Sequence, residues 1–260
     1  MDEAMWANQL LKPYSLEQIT EADPRASLEM PEVQVAIRAA RSSAESAIAM
    51  ANTMNSLRKA AEGKNVQGKF TSEAVDCLRS ALLFSGAGLD TALKRLAAEA
   101  LPSLVDSDDI VSKKFSEFVE SRISDESGRV RAKELVRILM AKGETPRAVM
   151  VNRWIYELQS NSAQSADRVK EFAAALGVVD SDLRKRIEPK GRKSLLEKAF
   201  LARNQIAHEL DVTKPRQVDR KKLESIRQYR KRDDIVSFCT ELLDVTQCLV
   251  NDTVRRMLTG

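Results

Sequence analysis

The sequence predicts an all-α protein, and three observations carry that reading. Apolar residues recur three and four positions apart in nearly every segment, the spacing that gathers them on one helix face. Ala, Leu, Arg, Lys and Glu, all good helix formers, are plentiful, whereas only nine Gly and seven Pro punctuate 260 residues. No segment shows the alternation of a half-buried strand, and no internal repeat is visible.

The elements follow in order. Residues 1–30 read as a loose N-terminal arm. Pro31 opens a long helix, PEVQVAIRAARSSAESAIAMANTMNSLRKAAEG, because proline suits a first turn and Gly63 suits the stop. GKNVQGK turns the chain. A second helix runs from Thr71 through TSEAVDCLRSALLFSGAGLDTALKRLAAEA. Its Val75, Leu78, Leu82, Leu89, Leu93, Leu96 and Ala100 make one buried face, and Thr71 or Ser72 caps it. Gly86 and Gly88 interrupt this helix; close approach of another helix explains them better than a functional kink. SDDIVSKKFSEFVESRI is amphipathic, and SDESGR at 124–129 is a polar break. Residues 130–178 hold two or three more helices, including RAVMVNRWIYELQ and ADRVKEFAAALG, with Trp154 and Tyr156 as core or rim packing. EPKGRK is a loop, and 194–209 is a helix carrying the only histidine, His208. The closing helix, DDIVSFCTELLDVTQCLVNDTVRRML, buries Ile235, Phe238, Leu242, Val245 and Leu249, with Cys239 buried beside them.

Composition narrows the class. Hydrophobic residues at 43% and charged residues at 31% describe an ordinary globular chain with a real core. No apolar run spans a bilayer, and the N-terminus lacks the basic-then-apolar pattern of a secretory signal. Three scattered cysteines, Cys77, Cys239 and Cys248, argue against a disulfide framework and for a reducing, cytoplasmic setting. One histidine and no close cysteine pair exclude a zinc site of His and Cys, and no glycine-rich phosphate loop marks a nucleotide triphosphate enzyme. Asp106, Asp108 and Asp109 cluster, but at a helix start they read as cap and dipole match rather than as metal ligands. Residues 163–187 resemble a helix-turn-helix only loosely and read as a plain helical hairpin. No cofactor and no metal are expected.

The net charge is only +4, but it is uneven. Residues 214–232, KPRQVDRKKLESIRQYRKR, carry nine Lys or Arg against two acids, and RKRIEPKGRK at 184–193 is also basic. Both runs flank the histidine helix, so they read as a phosphate-binding surface more than as a solvated face.

On a helical wheel, Leu195, Leu196, Ala199, Phe200, Ala202, Ile206, Ala207 and Leu210 cover an arc of roughly 160°. Arg203 falls inside that arc. His208 falls outside it, one turn from Asn204 on the same face. An arginine in an apolar face needs an acid, such as Asp90 or Asp244, or a wet cleft holding a phosphate. Its planar fork suits phosphate, and an imidazole suits proton transfer near neutral pH. Together they are the minimum for cleaving RNA without a metal, through attack of a ribose 2′-hydroxyl on the neighbouring phosphate.

RNQIAHE, residues 203–209, resembles the signature of the HEPN superfamily (higher eukaryotes and prokaryotes nucleotide-binding). That signature is Arg, four to six residues, then His, often with Asn directly after the Arg; Arg203, Asn204 and His208 match it. LLFSGAGLDTALKRL at 82–96 resembles the family's earlier core helix, where Leu89 and Asp90 fit a leucine–acid pattern. The Tyr that some toxin members carry two residues after the His is Leu210 here.

The resemblance implies an antiparallel helical bundle from 31–125 plus 189–260, with 126–188 as an inserted helical subdomain. It also implies a homodimer in which two motifs meet, RNA as the substrate, and a metal-independent endoribonuclease of host-defence or toxin type, with a regulatory protein partner. Arg203 would hold the scissile phosphate, Asn204 the phosphate or His208, and His208 would move the proton. Asp90 would hold Arg203 or a ribose hydroxyl. Arg220, Lys221, Lys222, Arg230, Lys231 and Arg232 would guide the RNA backbone. The opposing expectation is a non-catalytic helical module binding RNA or a protein.

Overall fold

The structure, a computed structural model, describes residues 13–62, 69–124, 129–213 and 226–259. They are helical throughout and contain no strand; the only ladder pairings among them are isolated bridges, Ser124 with Val130 and Val212 with Arg227. Among them no helix is long and apolar enough to cross a membrane. The helices are α1 (Pro24–Glu29), α2 (Pro31–Glu62), α3 (Ser72–Ser107), α4 (Asp109–Ile123), α5 (Ala132–Leu139), α6 (Pro146–Gln159), α7 (Ala166–Ala175), α8 (Ser181–Ile187), α9 (Leu195–Glu209) and α10 (Arg232–Met257).

The chain forms two compact units. The first takes Met1–Thr20, Ala36–Leu89 and Arg192–Val245; the second takes Glu21–Val35, Asp90–Gly191 and Thr246–Gly260. Segment 126–188 lies wholly within the second. α2, α3 and α10 each contribute residues to both units.

In the first unit, α2 and α3 meet at small residues. A Cβ placed on Gly88 would fall 2.1 Å from the Cβ of Ala40, so this glycine lets two backbones approach closely. All seven residues of the α3 stripe are buried, Val75 to Leu89 in this unit and Leu93, Leu96 and Ala100 in the second. On α10, Ile235, Leu242, Val245 and Leu249 are fully buried, whereas Phe238, expected with them, is only half-buried. The N-terminal arm is not loose where it is described. Leu16 is buried, its N–H donates to Glu45 Oε1 at 2.8 Å, and Thr20 N–H donates to buried Asp244 Oδ1 at 2.6 Å.

In the second unit, Asp23 caps α1, accepting from Arg25 N at 3.0 Å, and Ala26 and Met30 are buried. α3 continues past the expected end at Ala100, through Pro102, to Ser107. The helix survives the missing N–H of Pro102 because Leu101, Leu104 and Val105 on the same turns are buried. Asp108 caps α4, accepting from Ile110 N and Val111 N, both at 2.9 Å, while Asp106 pairs with Arg147 at 2.5 Å. The acid cluster is thus a cap and an ion pair. Trp154 is buried, with ring centroids 5.7 Å from Phe115 and 5.8 Å from Phe118; Tyr156 points outward, 71% exposed.

Burial pushes the Cys239 thiol up to about 12, only partly opposed by a hydrogen bond with Ser85. A thiol is reactive as its thiolate. In the folded protein at about pH 8, iodoacetamide is therefore expected to spare Cys239 and to reach it only after unfolding. Peptide mapping of the alkylated protein checks this; labelling of native Cys239 as fast as half-buried Cys77 and Cys248 would contradict it.

Candidate functional site

α9 is a well-started helix. Ser194 Oγ accepts from Glu197 N at 3.1 Å and Glu197 Oε2 accepts from Ser194 N at 2.7 Å, a complete capping box. Leu196, Ala199, Phe200, Ala202 and Ile206 bury its inner face. The buried residues span the whole predicted arc, from Ala202 to Phe200, and the exposed members fall at the helix ends: Leu195 in the first turn, Ala207 in the last, and Leu210, past it, at 66% exposure.

Arg203 is half-buried on that inner side, its stem close to Gly86 of α3. A Cβ on Gly86 would lie 3.4 Å from Arg203 Cγ and 3.6 Å from its Nε. These are ordinary contact distances, so the Arg203 stem would also clear an alanine at 86, in contrast to the overlap at Gly88. Arg203 Nη1 donates to Asn204 Oδ1 at 3.0 Å. His208, in the last turn, is exposed. It is four residues beyond Asn204 and shares its face, but five beyond Arg203, about 140° round the helix. The fold brings Arg203 and Asn204 into contact and leaves the imidazole open to solvent one turn on.

Asp90, expected beside Arg203 or a ribose, gives its carboxylate to neighbours within the second unit. Oδ1 accepts from Ala163 N at 2.6 Å and Ser162 Oγ at 3.4 Å, and Oδ2 lies 3.2 Å from Lys94 Nζ. Arg230, expected on an RNA-guiding surface, is 7% exposed and serves the interior. Its Nη2 donates to Asp211 Oδ1 at 2.5 Å and to Gln205 Oε1 at 2.8 Å. Arg232 is engaged too. Its Nε donates to Asn52 Oδ1 at 2.8 Å, its Nη1 meets Asp233 at 3.0 Å, and its guanidinium lies 5.1 Å from the Tyr14 ring centroid. Lys231 is exposed. Arg220, Lys221 and Lys222 lie outside the described residues.

Sequence reading missed what anchors the end of α9. Leu210 and Asp211 both take left-handed backbone, at φ 51° and 59°. Such a conformation costs a non-glycine residue of order 1 kcal/mol and persists only where its surroundings impose it. Here they do. The Asp211 side chain is fully buried and is met by Arg79 Nε at 2.7 Å as well as by Arg230. Arg79 also donates to Asp76 Oδ1 at 2.6 Å and to the Gln228 carbonyl at 2.9 Å. Arg227 Nε donates to the Leu210 carbonyl at 3.1 Å, and its Nη2 to Asp76 Oδ1 at 2.8 Å. Burial alone would raise the Asp76 carboxyl, but hydrogen bonds from Arg227 and Arg79 outweigh it and hold the group below the ordinary carboxylate range. The bridge of Val212 with Arg227 and the bond from Thr213 N to the Ile226 carbonyl, at 2.9 Å, close the chain on itself just after the histidine helix.

In comparisons with known proteins, no family model, no curated protein and no solved structure matches this chain.

Proposed function

We infer that the chain is a metal-independent endoribonuclease of the HEPN type, acting through Arg203, Asn204 and His208. The observation that carries the reading is the arrangement on α9. A half-buried arginine is steadied by the adjacent asparagine, and the sole imidazole stands in solvent at the end of the same helix. Arginine held by Asn204 offers a planar fork for a phosphate, and exposure leaves His208 accessible to a ribose.

In the reaction, neutral His208 takes the proton of a 2′-hydroxyl. The 2′-oxygen bonds to phosphorus, the 5′-oxygen departs and takes up a proton, and a 2′,3′-cyclic phosphate remains. Arg203 neutralises the charge that grows on the phosphate oxygens. Because Arg203 and His208 face about 140° apart on one helix, a two-fold dimer is the arrangement that surrounds one phosphate with both. The second copy's imidazole then protonates the leaving group.

The alternative is a non-catalytic helical module binding RNA or a protein partner. It is favoured by the burial of Arg230, whose pairing with Asp211 gives that cation structural work.

Substitutions at Arg203 separate the two. Under the catalytic reading, Arg203→Lys keeps the charge, loses the fork, and cuts RNA about 10²–10³-fold more slowly with little change in melting temperature. Asn204→Ala costs less than that. A large fall in melting temperature for Arg203→Lys, with no nuclease activity in the wild type, supports the structural module instead.

A further inference from the structure

At the start of α3, within the first unit, lies a cavity of about 160 Å³. Lys69, Phe70, Ser72, Arg227, Gln228 and Tyr229 contribute to its wall, as does Arg79. It is smaller than the 300–1,000 Å³ of sites that enclose a whole drug-sized ligand, so it suits a single planar ring system. We propose that this cavity binds one nucleotide, its base against the aromatic wall and its phosphate at the cationic rim. The proposal rests on the ribonuclease reading in one respect only, that the nucleotide belongs to RNA.

The wall is built for such a ligand. Tyr229 is pinned at its edge, its hydroxyl accepting from Phe70 N at 3.0 Å, and Lys69 Nζ lies 5.1 Å from its ring centroid. A fixed aromatic ring gives a base a stacking surface, and stacking tolerates any base. The exposed amide of Gln228 can read a base edge. Three cations, Lys69, Arg79 and Arg227, line the cavity, and among the described residues no carboxylate does. Asp76 and Asp211 pair with the two guanidiniums and fix them, and neither carboxylate belongs to the lining. The first turn of α3, the positive end of a 36-residue helix, opens onto the same space through Ser72. The rim is also tied to the candidate catalytic helix. Arg227 lines the cavity and donates to the carbonyl of Leu210, two residues beyond His208. That bond links the wall of the cavity to the end of α9.

The test is calorimetric titration of the full chain at low salt with AMP, GMP, CMP, UMP, inorganic phosphate and a six-nucleotide RNA. Wild type stands beside Tyr229→Leu and Lys69→Gln, each checked for an unchanged melting temperature. Lys69→Gln removes a charge that belongs to no ion pair described above, so it reports on the site even if Tyr229→Leu does not fold. The expected result is that nucleotides bind more tightly than inorganic phosphate. Tyr229→Leu then weakens them about tenfold, and Lys69→Gln weakens them and flattens the salt dependence. Binding of the hexamer but of no free nucleotide, sensitive to Tyr229→Leu, still supports the pocket as an RNA subsite.

Failure of all six ligands to bind would overturn the proposal. So would inorganic phosphate binding as tightly as the nucleotides, or binding that neither Tyr229→Leu nor Lys69→Gln alters. The two readings fail separately. Tyr229-dependent binding by a protein that cuts no RNA leaves the pocket standing without the nuclease. His208-dependent cleavage with an unchanged KM in Tyr229→Leu leaves the nuclease standing without the pocket.

Discussion

Asp211→Ala is expected to destabilise the protein by about 3–5 kcal/mol, the largest effect of any single polar substitution proposed for it. The carboxylate is fully buried, and the guanidiniums it holds, on Arg79 and Arg230, have side chains only 7% and 8% exposed. Removing one partner of a buried ionic group leaves the others charged and without compensation, which costs more than the intact group contributes over an apolar packing. Alanine also tolerates left-handed backbone less well than aspartate, and Asp211 sits at φ 59°. Asp211→Asn isolates the charge, since asparagine accepts both the conformation and one hydrogen bond; its loss is expected to be smaller. Urea unfolding with an unchanged m value checks both variants, and a loss below about 1 kcal/mol for Asp211→Ala would show the network to be incidental.

The second large effect is at Gly88. Alanine there has two opposed consequences. It gains about 1 kcal/mol of helix propensity. It also places a methyl 2.1 Å from the methyl of Ala40, a distance at which the helices must separate. Both methyls are anchored directly to backbone, so no side-chain rotation relieves the overlap. Overpacking of this kind costs about 1–3 kcal/mol in a well-filled core, and the surrounding Ile37, Ala44, Leu89 and Ala92 are all buried. The overlap wins, and Gly88→Ala is expected to lower stability. Ala40→Gly, destabilising by about 1 kcal/mol alone, is expected to restore most of the loss when combined with Gly88→Ala. Simple additivity of the two would contradict the contact.

Several parts of this fold are legible in the sequence because they depend on near neighbours. The α3 stripe from Val75 to Ala100, the cap at Asp108 and the close approach at Gly88 all follow from spacing, cap chemistry or residue size. Burial of Cys239 follows from its place beside an apolar stripe. The contiguous motif on α9 is legible for the same reason, since Arg203, Asn204 and His208 lie within six residues on one helix. What is not legible depends on distant partners. Arg230 and Arg232 look like members of a basic run, yet one serves Asp211 and the other Asn52, which is 180 residues away. Arg79 and Asp211 are 132 residues apart, and nothing local marks them as a pair. Leu210 carries no signal for left-handed backbone, because its conformation is imposed by that network rather than chosen by the residue. Asp90 follows a leucine, as the resemblance requires, but its hydrogen bonds go to Ser162 and Ala163 in the loop before α7. The end of α3 is misjudged because Pro102 is a local stop signal that tertiary burial of Leu104 and Val105 overrides.

The central claim is that His208 moves the proton in metal-independent RNA cleavage. Its most direct test incubates wild type and His208→Ala with mixed tRNA and mRNA in excess EDTA, and analyses the product ends. The expected result is cleavage by the wild type leaving 2′,3′-cyclic phosphates, and a rate about 10²–10⁴-fold lower for the variant at an unchanged melting temperature. RNA left whole by the wild type, or cut equally fast by both proteins, would contradict it.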